Sequence, residues 1–543
     1  MNKQREQYRP DREGKLCMAF LNGRECSFGE SCRFSHDLRS FLANKPADLG
    51  ETCPIFTLKG RCKFGVTCRY GRSHILEDGT SVVSESFSGE GDEMNHSKPE
   101  LSALLRKNKY DFSRADTLSK AILADVQRQQ DLANASKAER ERLSAEQVLY
   151  SERNVSDTQP VEREKRVVDF RGKILLAPLT TVGNLPFRRV CKSFGVDITC
   201  GEMALATNLL QGQYVAFQLH KCEDIFGVQL AGNHAETMGR TRKILTTTSH
   251  FDAVIIARYS NVSNFAPLLH GMPTTISLQA GIFPRVLFSL RDCGNGRQPT
   301  AHLLPPLPLI TTDPHRAAQV IDEEMQVDFI DINMGCPIDV ICNKGCGSAL
   351  ALRPGRVQSV VRTMSTLLSC PLTVKMRTGY DNNKPIAHNL IPKLAGWGAS
   401  AVTLHGRSRQ QRYSRAADWD YITSCSELTE LPFVGCARSK LLIMNGDVFS
   451  YEDVEPSSHA GKVGSFMVAR EIKEQRHWDI SASERLDMLK TFVRHGLEHW
   501  GTDDMGVAKV RNFLLEWLSF LHRYVPVGLL ERLPAKLQVE MAP

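Results

Sequence analysis

The sequence predicts an α/β protein: a (β/α)8 (TIM) barrel preceded by tandem CCCH zinc fingers and followed by a C-terminal helical region. Eight apolar runs of strand length alternate with helical stretches between residues 171 and 470, which is the order and size of such a barrel. Two clusters of three cysteines and one histidine stand in tandem near the N-terminus. The C-terminal stretch has apolar residues at helical spacing.

Composition sets the class of protein. The chain has 543 residues, of which 42% are hydrophobic and 24% charged, and this excludes a wholly disordered or fibrous protein. No apolar run reaches the ~18–20 residues that a bilayer requires, and the polar N-terminus predicts no secretory signal peptide. The 16 cysteines are then expected in a reducing compartment, so we predict a cytoplasmic and/or nuclear protein. The net charge of +7 allows an RNA partner without requiring one, and no obligate protein partner is evident.

Four regions differ in composition. Residues 1–78 hold both fingers, and residues 79–170 read as a polar linker with solvated helices around 116–130 and 136–149. Residues 171–470 form the predicted barrel, and residues 471–543 form the helical region.

The two cysteine clusters have the spacing of metal ligands. The spacings are C-x8-C-x5-C-x3-H and C-x8-C-x5-C-x5-H, and the residues are Cys17, Cys26, Cys32, His36, Cys53, Cys62, Cys68 and His74. Cys₃His sets supply the four ligands of a tetrahedral Zn²⁺ site, and modules this small need the metal to fold. Aromatic and basic residues lie between the ligands, which favours single-stranded RNA as the partner of the fingers; a structural or protein-binding role is the alternative.

The predicted barrel strands are located by their apolar runs. They cover residues 173–177, 197–202, 225–230, 327–333, 372–377, 401–405, 432–435 or 441–446, and 463–469. Helices are expected at 185–194, 357–368, 387–397 and 418–427. A doubly wound sheet is the structural alternative, although no Gly-x-Gly-x-x-Gly follows the first strand.

Chemistry in such a barrel collects where the strands end, and four motifs lie at those places. They are Asn333-x-Gly335-Cys336-Pro337, Val374-Lys375-x-Arg377-Thr378-Gly379, Leu404-His405-Gly406-Arg407 and Asn445-Gly446-Asp447. With these motifs in this order, the sequence resembles the tRNA-dihydrouridine synthase family of flavin-dependent barrels. The tandem fingers resemble those of its eukaryotic subgroup, which acts on the uridine at position 47 of the variable loop.

The resemblance implies a mechanism and a site. FMN, reduced by NADPH or NADH, would give a hydride to uridine in tRNA, or in another RNA, and Cys336 would be the general acid; a structural thiol is the alternative. Lys375 would lie beside the N1/O2 edge of the flavin and Gln229 at its uracil-like edge. The other implied flavin contacts are Pro178, Leu179, Thr180 and His405, with Asn445, Gly446, Asp447, Ala469 and Arg470 at the phosphate. Asn333, Arg377 and Arg407 would be second-tier contacts.

Three segments differ from the family pattern. A Leu/Pro-rich insertion without clear periodicity covers about 247–313, residues 436–444 interrupt the seventh strand region, and the segment after Arg470 is short, as is the C-terminal region. An RNA-binding CCCH protein with an impaired barrel is therefore an alternative function. A small-molecule flavin reductase of the dihydroorotate dehydrogenase type is a third.

Overall fold

A computed structural model describes a large part of the chain. The described residues are 15–21, 25–85, 87, 92–96, 98–134, 166–170, 172–179, 183–213, 215–233, 275–278, 286–289, 301–303, 313–411, 417–429, 431, 443–445, 465–468 and 481–521. The helices are Met18–Leu21, Leu38–Asn44, Pro54–Lys59, Pro99–Arg106, Ser113–Asn134, Leu185–Ser193, Ala206–Leu210, Pro314–Glu324, Asp339–Cys342, Pro354–Leu367, Ala387–Leu394, Trp419–Ser426, Ala482–Trp500 and Asp504–Leu521.

Eight parallel strands of a nine-stranded sheet form the barrel and close on themselves, and the ninth, Ala204–Leu205, pairs with the strand Ile225–Ala231. The barrel strands are β1 (Ile174–Leu176), β2 (Ile198–Cys200), β3 (Ile225–Ala231), β4 (Phe329–Met334), β5 (Leu372–Arg377), β6 (Ala401–His405), β7 (Ile443–Asn445) and β8 (Ser465–Val468). Each strand pairs with the next, and β8 returns to β1 with Val468 opposite Leu176. The predicted barrel is confirmed and the doubly wound sheet is wrong. The seventh strand matches the second of its two predicted positions; residues 432–435 lie outside the described part of the chain.

The inside of the barrel has two chemically different layers. An apolar cluster fills one layer: Phe170, Leu175, Ala177, Ile198, Cys200, Phe329, Ala401 and Met467. Further along β3 to β6, toward their carboxyl ends, the inward side chains are polar. The alternate residues of these strands join the helices in the main core. The polar layer is where ligand chemistry is expected.

The ends of the surrounding helices carry capping residues. Asp313 accepts hydrogen bonds from the backbone N–H groups of His315 and Arg316, and Pro314 occupies the first turn. Ser481 and Glu484 form a capping box at the start of the helix Ala482–Trp500. These local signals fix where the polypeptide turns from strand to helix.

The helix Ser113–Asn134 is longer than predicted and is not solvated on all sides. Ala115, Ser119, Ile122 and Val126 are buried where it packs on the barrel helices Pro314–Glu324 and Pro354–Leu367. Arg316 makes a two-point ion pair with Asp116, with distances of 2.8 and 2.7 Å. The expectation of a solvated linker helix is wrong here, because one face of it covers the barrel. The predicted helix at 136–149 lies outside the described residues.

A buried ion pair ties the helix Leu185–Ser193 to the start of β3. Arg188 Nε donates to Glu223 Oε1 at 2.7 Å, and the two side chains are 1% and 0% exposed. The carboxylate also accepts hydrogen bonds from Thr199 Oγ1 and the backbone N–H of His220. Because all these groups are buried, the network depends on both charges being present.

The C-terminal helices form a hairpin that rests on the barrel. Trp517 packs edge-to-face against Phe187 and Phe492, and Arg189 donates to Glu498 at 2.7 Å with both side chains buried. Gly501 to Asp503 connect the two helices. The helical region predicted for residues 471–543 is therefore present in its described part, 481–521.

The insertion predicted at 247–313 contains regular structure. Three short strands, Thr275–Leu278, Val286–Ser289 and Ala301–Leu303, form an antiparallel sheet of their own. The expectation of a structureless insertion is wrong for these segments. Among the described helices, none has both the length and the apolar character needed to cross a bilayer.

Candidate active site

A hydrogen-bonded chain of polar side chains crosses the barrel from β5 to β3. Thr373 Oγ1 donates to Asp331 at 2.6 Å, and Gln229 Nε2 donates to the same carboxylate at 2.7 Å. Asn333 Nδ2 donates in turn to Gln229 Oε1 at 2.7 Å. This arrangement fixes the orientation of the Gln229 amide and leaves it one N–H and one lone pair for a ligand.

The chain ends at the loop that carries Cys336. Asn333 Oδ1 accepts from the backbone N–H groups of Gly335 and Cys336 at 3.1 and 2.8 Å. Arg377 Nε donates to the carbonyl of Gly335 at 2.9 Å. Ser348 Oγ donates to the carbonyl of Cys336 at 3.0 Å. The loop is thus held from three sides, and the thiol has a fixed position after β4.

The environment keeps the Cys336 thiol protonated. The residue is 9% exposed, and burial raises the pKa of the thiol above its usual value, against the opposing effect of the backbone N–H of Ile338. A thiol with a raised pKa carries its proton at neutral pH. Cys336 is therefore suited to donate a proton, whereas a nucleophilic cysteine needs a lowered pKa.

Lys375 lies on β5, opposite Asn333 on β4 and Thr403 on β6. Its ammonium makes no hydrogen bond or ion pair with any described residue. Burial, aided by the charge of Arg377, lowers the pKa of Lys375 to about 8. A cation placed in the polar layer without a hydrogen bond or ion pair to a described residue is suited to an anionic ligand.

His405 ends β6, opposite Arg377 on β5. It is 3% exposed, and burial lowers the pKa of its imidazole well below the usual range, with the charges of Arg377 and Lys375 acting in the same direction. His405 is consequently neutral at physiological pH and can contact a ligand without adding charge.

These residues fit a flavin. The Lys375 ammonium makes no ion pair with a described residue, although the nearby Asp331 carboxylate acts to raise its pKa, and a reduced isoalloxazine ring carries negative charge at its N1/O2 edge. Gln229 still offers one donor and one acceptor, which matches a uracil-like edge. The roles assigned to both residues from the sequence are therefore chemically consistent with their surroundings.

The other sequence-predicted flavin contacts are only partly described. Pro178 and Leu179 follow β1 and are partly exposed, and the carbonyl of Leu179 accepts from Gly183 N at 2.9 Å. Asn445 ends β7 in register with His405. Thr180, Gly446, Asp447, Ala469 and Arg470 lie outside the described residues. Asp331 was not predicted from the sequence, although one carboxylate in a buried apolar strand is a recognisable signal.

Gly347 allows another loop to approach Cys336. It has φ +59°, and a Cβ added there would lie 2.8 Å from the Cys336 carbonyl oxygen.

We expect Gly347→Ala to destabilise the protein by about 1–3 kcal/mol, because it adds backbone strain and displaces the loop. Thermal unfolding measures the loss. Gly172→Ala is the matched control, since Gly172 has φ +64° and open space around it. Equal losses in the two variants would contradict a role for the contact with Cys336.

Both predicted zinc sets are brought together. The ligand atoms of Cys17, Cys26, Cys32 and His36 lie within 4.8 Å of one another, and so do those of Cys53, Cys62, Cys68 and His74. His74 is 1% exposed, and neither of its ring nitrogens has a hydrogen-bond partner among the described residues. A buried imidazole whose nitrogens are not hydrogen-bonded, next to three thiols, is typical of a metal ligand, so both sets fit Zn²⁺.

The aromatic residues of the two fingers differ in exposure. In the first finger, Phe28 and Phe34 are 68% and 39% exposed. In the second finger, Phe56, Phe64 and Tyr70 pack against its buried cysteines. Arg33, Arg61 and Lys63 are exposed, whereas Arg69 is paired with Asp504 at 2.6 Å; Arg24 lies outside the described residues. The sequence pattern did not distinguish these environments.

Two families match this chain. Dihydrouridine synthase (Dus) matches residues 307–477, and the DUS3L CCCH zinc finger domain matches residues 12–44 and 45–77. The human protein named tRNA-dihydrouridine(47) synthase [NAD(P)(+)]-like is 38% identical, covering 99% of this chain and 76% of the relative. The rice protein of that name is 36% identical over 95% of this chain and 77% of its own length. The Coprinopsis cinerea tRNA-dihydrouridine(47) synthase [NAD(P)(+)] is 32% identical over 98% of this chain and 80% of its own length.

Proposed function

Because this chain belongs to the dihydrouridine synthase family, we infer that it is an enzyme that reduces a uridine of tRNA to 5,6-dihydrouridine with FMN and NAD(P)H. The names of its relatives support position 47 as the target. The observation that carries the proposal is the buried Cys336 thiol, held after β4 next to a polar layer that fits a flavin. The closed barrel and this ordered loop give no support to an impaired enzyme.

Reduction of the C5–C6 bond of uracil requires a hydride at C6 and a proton at C5. FMN, once reduced by NAD(P)H, supplies the hydride. Cys336 gives its proton to C5 and is left as a thiolate, which regains a proton from water. Asn333 and Arg377 keep the loop of Cys336 in place, so the thiol meets the base from a fixed direction.

Lys375 and Gln229 hold the flavin in this proposal. The Lys375 ammonium would offset the negative charge of the reduced flavin, and the Gln229 amide would bond to the uracil-like edge of its ring. His405 and the backbone of Pro178 and Leu179 line the ring. The predicted phosphate contacts Asn445, Gly446, Asp447, Ala469 and Arg470, together with Thr180, complete the set and stay predictions.

The helical hairpin is the second surface proposed to meet tRNA. Arg494, Lys509 and Arg511 are exposed on it and are suited to phosphate contacts. Trp500 is not available for stacking on a base, because its ring stacks on Phe513 with centroids 4.6 Å apart. His495 is also turned inward, toward Glu498. The hairpin would therefore contribute positive charge to the surface that binds tRNA, and it would also cover the barrel.

The direct test is purification followed by assay on defined RNA. The protein should be yellow with the absorption spectrum of FMN, and it should form dihydrouridine on a tRNA transcript in the presence of NADPH or NADH. A transcript with the uridine at position 47 replaced by cytidine should gain none. A flavin-loaded protein that oxidises NADPH but modifies no tRNA would contradict the proposal.

The low pKa of Lys375 predicts a pH dependence for flavin reduction. The ammonium is charged below its pKa of about 8 and loses the charge as the pH rises through that value. We expect the rate of flavin bleaching by NAD(P)H to fall above about pH 8 in stopped-flow measurements. Lys375→Arg should move this fall to higher pH, because a guanidinium stays charged there. The same pH profile in the unmodified protein and in Lys375→Arg would contradict the assignment of this fall to the charge of Lys375.

A further inference from the structure

The second zinc finger touches the turn of the C-terminal hairpin directly at its ligands. Thr502 Oγ1 lies 3.1 Å from Cys68 Sγ and 3.5 Å from Cys62 Sγ. All three residues are buried, with at most 3% exposed. The backbone N–H of Arg69 also donates to the Thr502 carbonyl at 2.8 Å. The turn therefore meets the ligand cysteines and not only the outer surface of the finger.

Two further contacts surround Thr502. Gly501 has φ +119°, and a Cβ built on it would overlap the ring of Phe64. On the other side, Arg69 Nη1 donates to Asp504 Oδ1 at 2.6 Å. A backbone bond, an aromatic contact and an ion pair thus join the same face of the finger to residues 501–504.

The chemistry of the ligands gives the contact a role. A metal-bound cysteine is a thiolate, which has no proton and accepts hydrogen bonds. Donors in the outer shell of a metal site orient its ligands and retain the ion. We propose that the second finger is a zinc-dependent clamp on the hairpin, with Thr502 as the positioning residue that donates to the Cys68 thiolate, and that the fingers' RNA contacts fall on the first finger.

The first finger lacks these contacts. Among the described residues, no hydrogen bond or ion pair joins its ligands to the hairpin. Its aromatic side chains remain open, with Phe28 68% exposed and Arg33 exposed on the same module. An exposed aromatic side chain and an exposed cation on one module suit contact with an unpaired base and its phosphate. This part of the inference rests on the proposed function.

Hydrogen exchange on the whole protein tests the clamp. Cys68→Ser removes a ligand of the second site, and Cys32→Ser removes the equivalent ligand of the first. Backbone amides at residues 496–508 should exchange faster in Cys68→Ser and remain as in the unmodified protein in Cys32→Ser. Equal protection of these amides in both variants would overturn the clamp. No RNA or activity enters this measurement.

A milder pair of variants tests Thr502 alone. Thr502→Val keeps the shape of the side chain and removes the hydroxyl, whereas Thr502→Ser keeps the hydroxyl. Competition with a chromophoric chelator should show the second site of Thr502→Val binding Zn²⁺ about tenfold more weakly, the lower end of outer-shell effects. Thr502→Ser should bind close to the unmodified value, and the first site should stay unchanged in both. Unchanged zinc affinity in Thr502→Val would overturn the role of Thr502.

Binding of tRNA tests the division of labour. Phe28→Ala should weaken binding at low salt by roughly fivefold or more, the scale of one lost base stack. Leu58→Ala is the control, because Leu58 is 53% exposed on the second finger. Dihydrouridine formation at saturating tRNA is measured in parallel. If Phe28→Ala bound tRNA as tightly as the unmodified protein and formed dihydrouridine normally, the assignment of RNA contacts to the first finger would be overturned. The proposed function would remain intact.

Discussion

Cys336→Ala should keep FMN bound and keep flavin reduction by NAD(P)H near normal, while dihydrouridine formation on tRNA falls by ~10²-fold or more. The hydride still reaches C6, but no group is placed to protonate C5. The Cys336 side chain is only 9% exposed, so water is a poor substitute at its position. Single-turnover assays with pre-reduced enzyme measure this step separately from flavin reduction.

Cys346→Ala is the matched control for this experiment. Cys346 is fully buried in the same small cluster as Cys336 and loses the same sulfur atom on substitution. It should retain most of its turnover on tRNA. Near-normal dihydrouridine formation by Cys336→Ala would show that the proton comes from another group.

Arg188→Met should lower the free energy of unfolding by about 3–5 kcal/mol, because it leaves the Glu223 carboxylate buried without its counter-ion. Both side chains are at most 1% exposed, so water cannot replace the guanidinium. Among the described residues, Thr199 Oγ1 and the His220 N–H would be the donors left to Glu223. Urea unfolding followed by circular dichroism gives the difference.

Two further variants separate charge from packing. The double variant Arg188→Met, Glu223→Met should recover part of the loss, because no buried charge remains. Lys490→Ala removes a surface partner of Asp487, with side chains 65% and 68% exposed, and should change stability by less than about 0.5 kcal/mol. A loss in Arg188→Met as small as that in Lys490→Ala would contradict the dependence on the buried pair.

The barrel could be predicted from sequence because its strands are buried on both sides. Runs such as those of β1 and β3 are then almost continuously apolar, and the pattern locates them within one or two residues. The seventh strand was ambiguous, since two apolar runs lie close together and local pattern cannot say which one pairs with β6. In the structure, Ile443 pairs with Thr403 and Asn445 pairs with His405, so the second apolar run is the seventh strand.

The helix Ser113–Asn134 shows what local pattern misses. It buries small residues such as Ala115 and Ser119, which carry little hydrophobic signal, and its ion pairs join it to residues 200 or more positions away. The polar layer of the site was found only in part for a similar reason. Cys336 and Lys375 stand in recognisable motifs, whereas the role of Asp331 depends on Gln229 and Thr373 from neighbouring strands.

The contact between Cys68 and Thr502 joins residues 434 positions apart, which sets an order of events during synthesis on the ribosome. At ~5–20 residues per second, roughly 20 to 90 seconds separate the appearance of the two residues. The finger is therefore made, and its thiols are displayed to the surrounding metal ions and oxidants, well before the hairpin arrives to cover them. Its early capture of a metal and its late docking are separate steps of biogenesis, and a nascent chain stalled before residue 502 would remain exposed at Cys68.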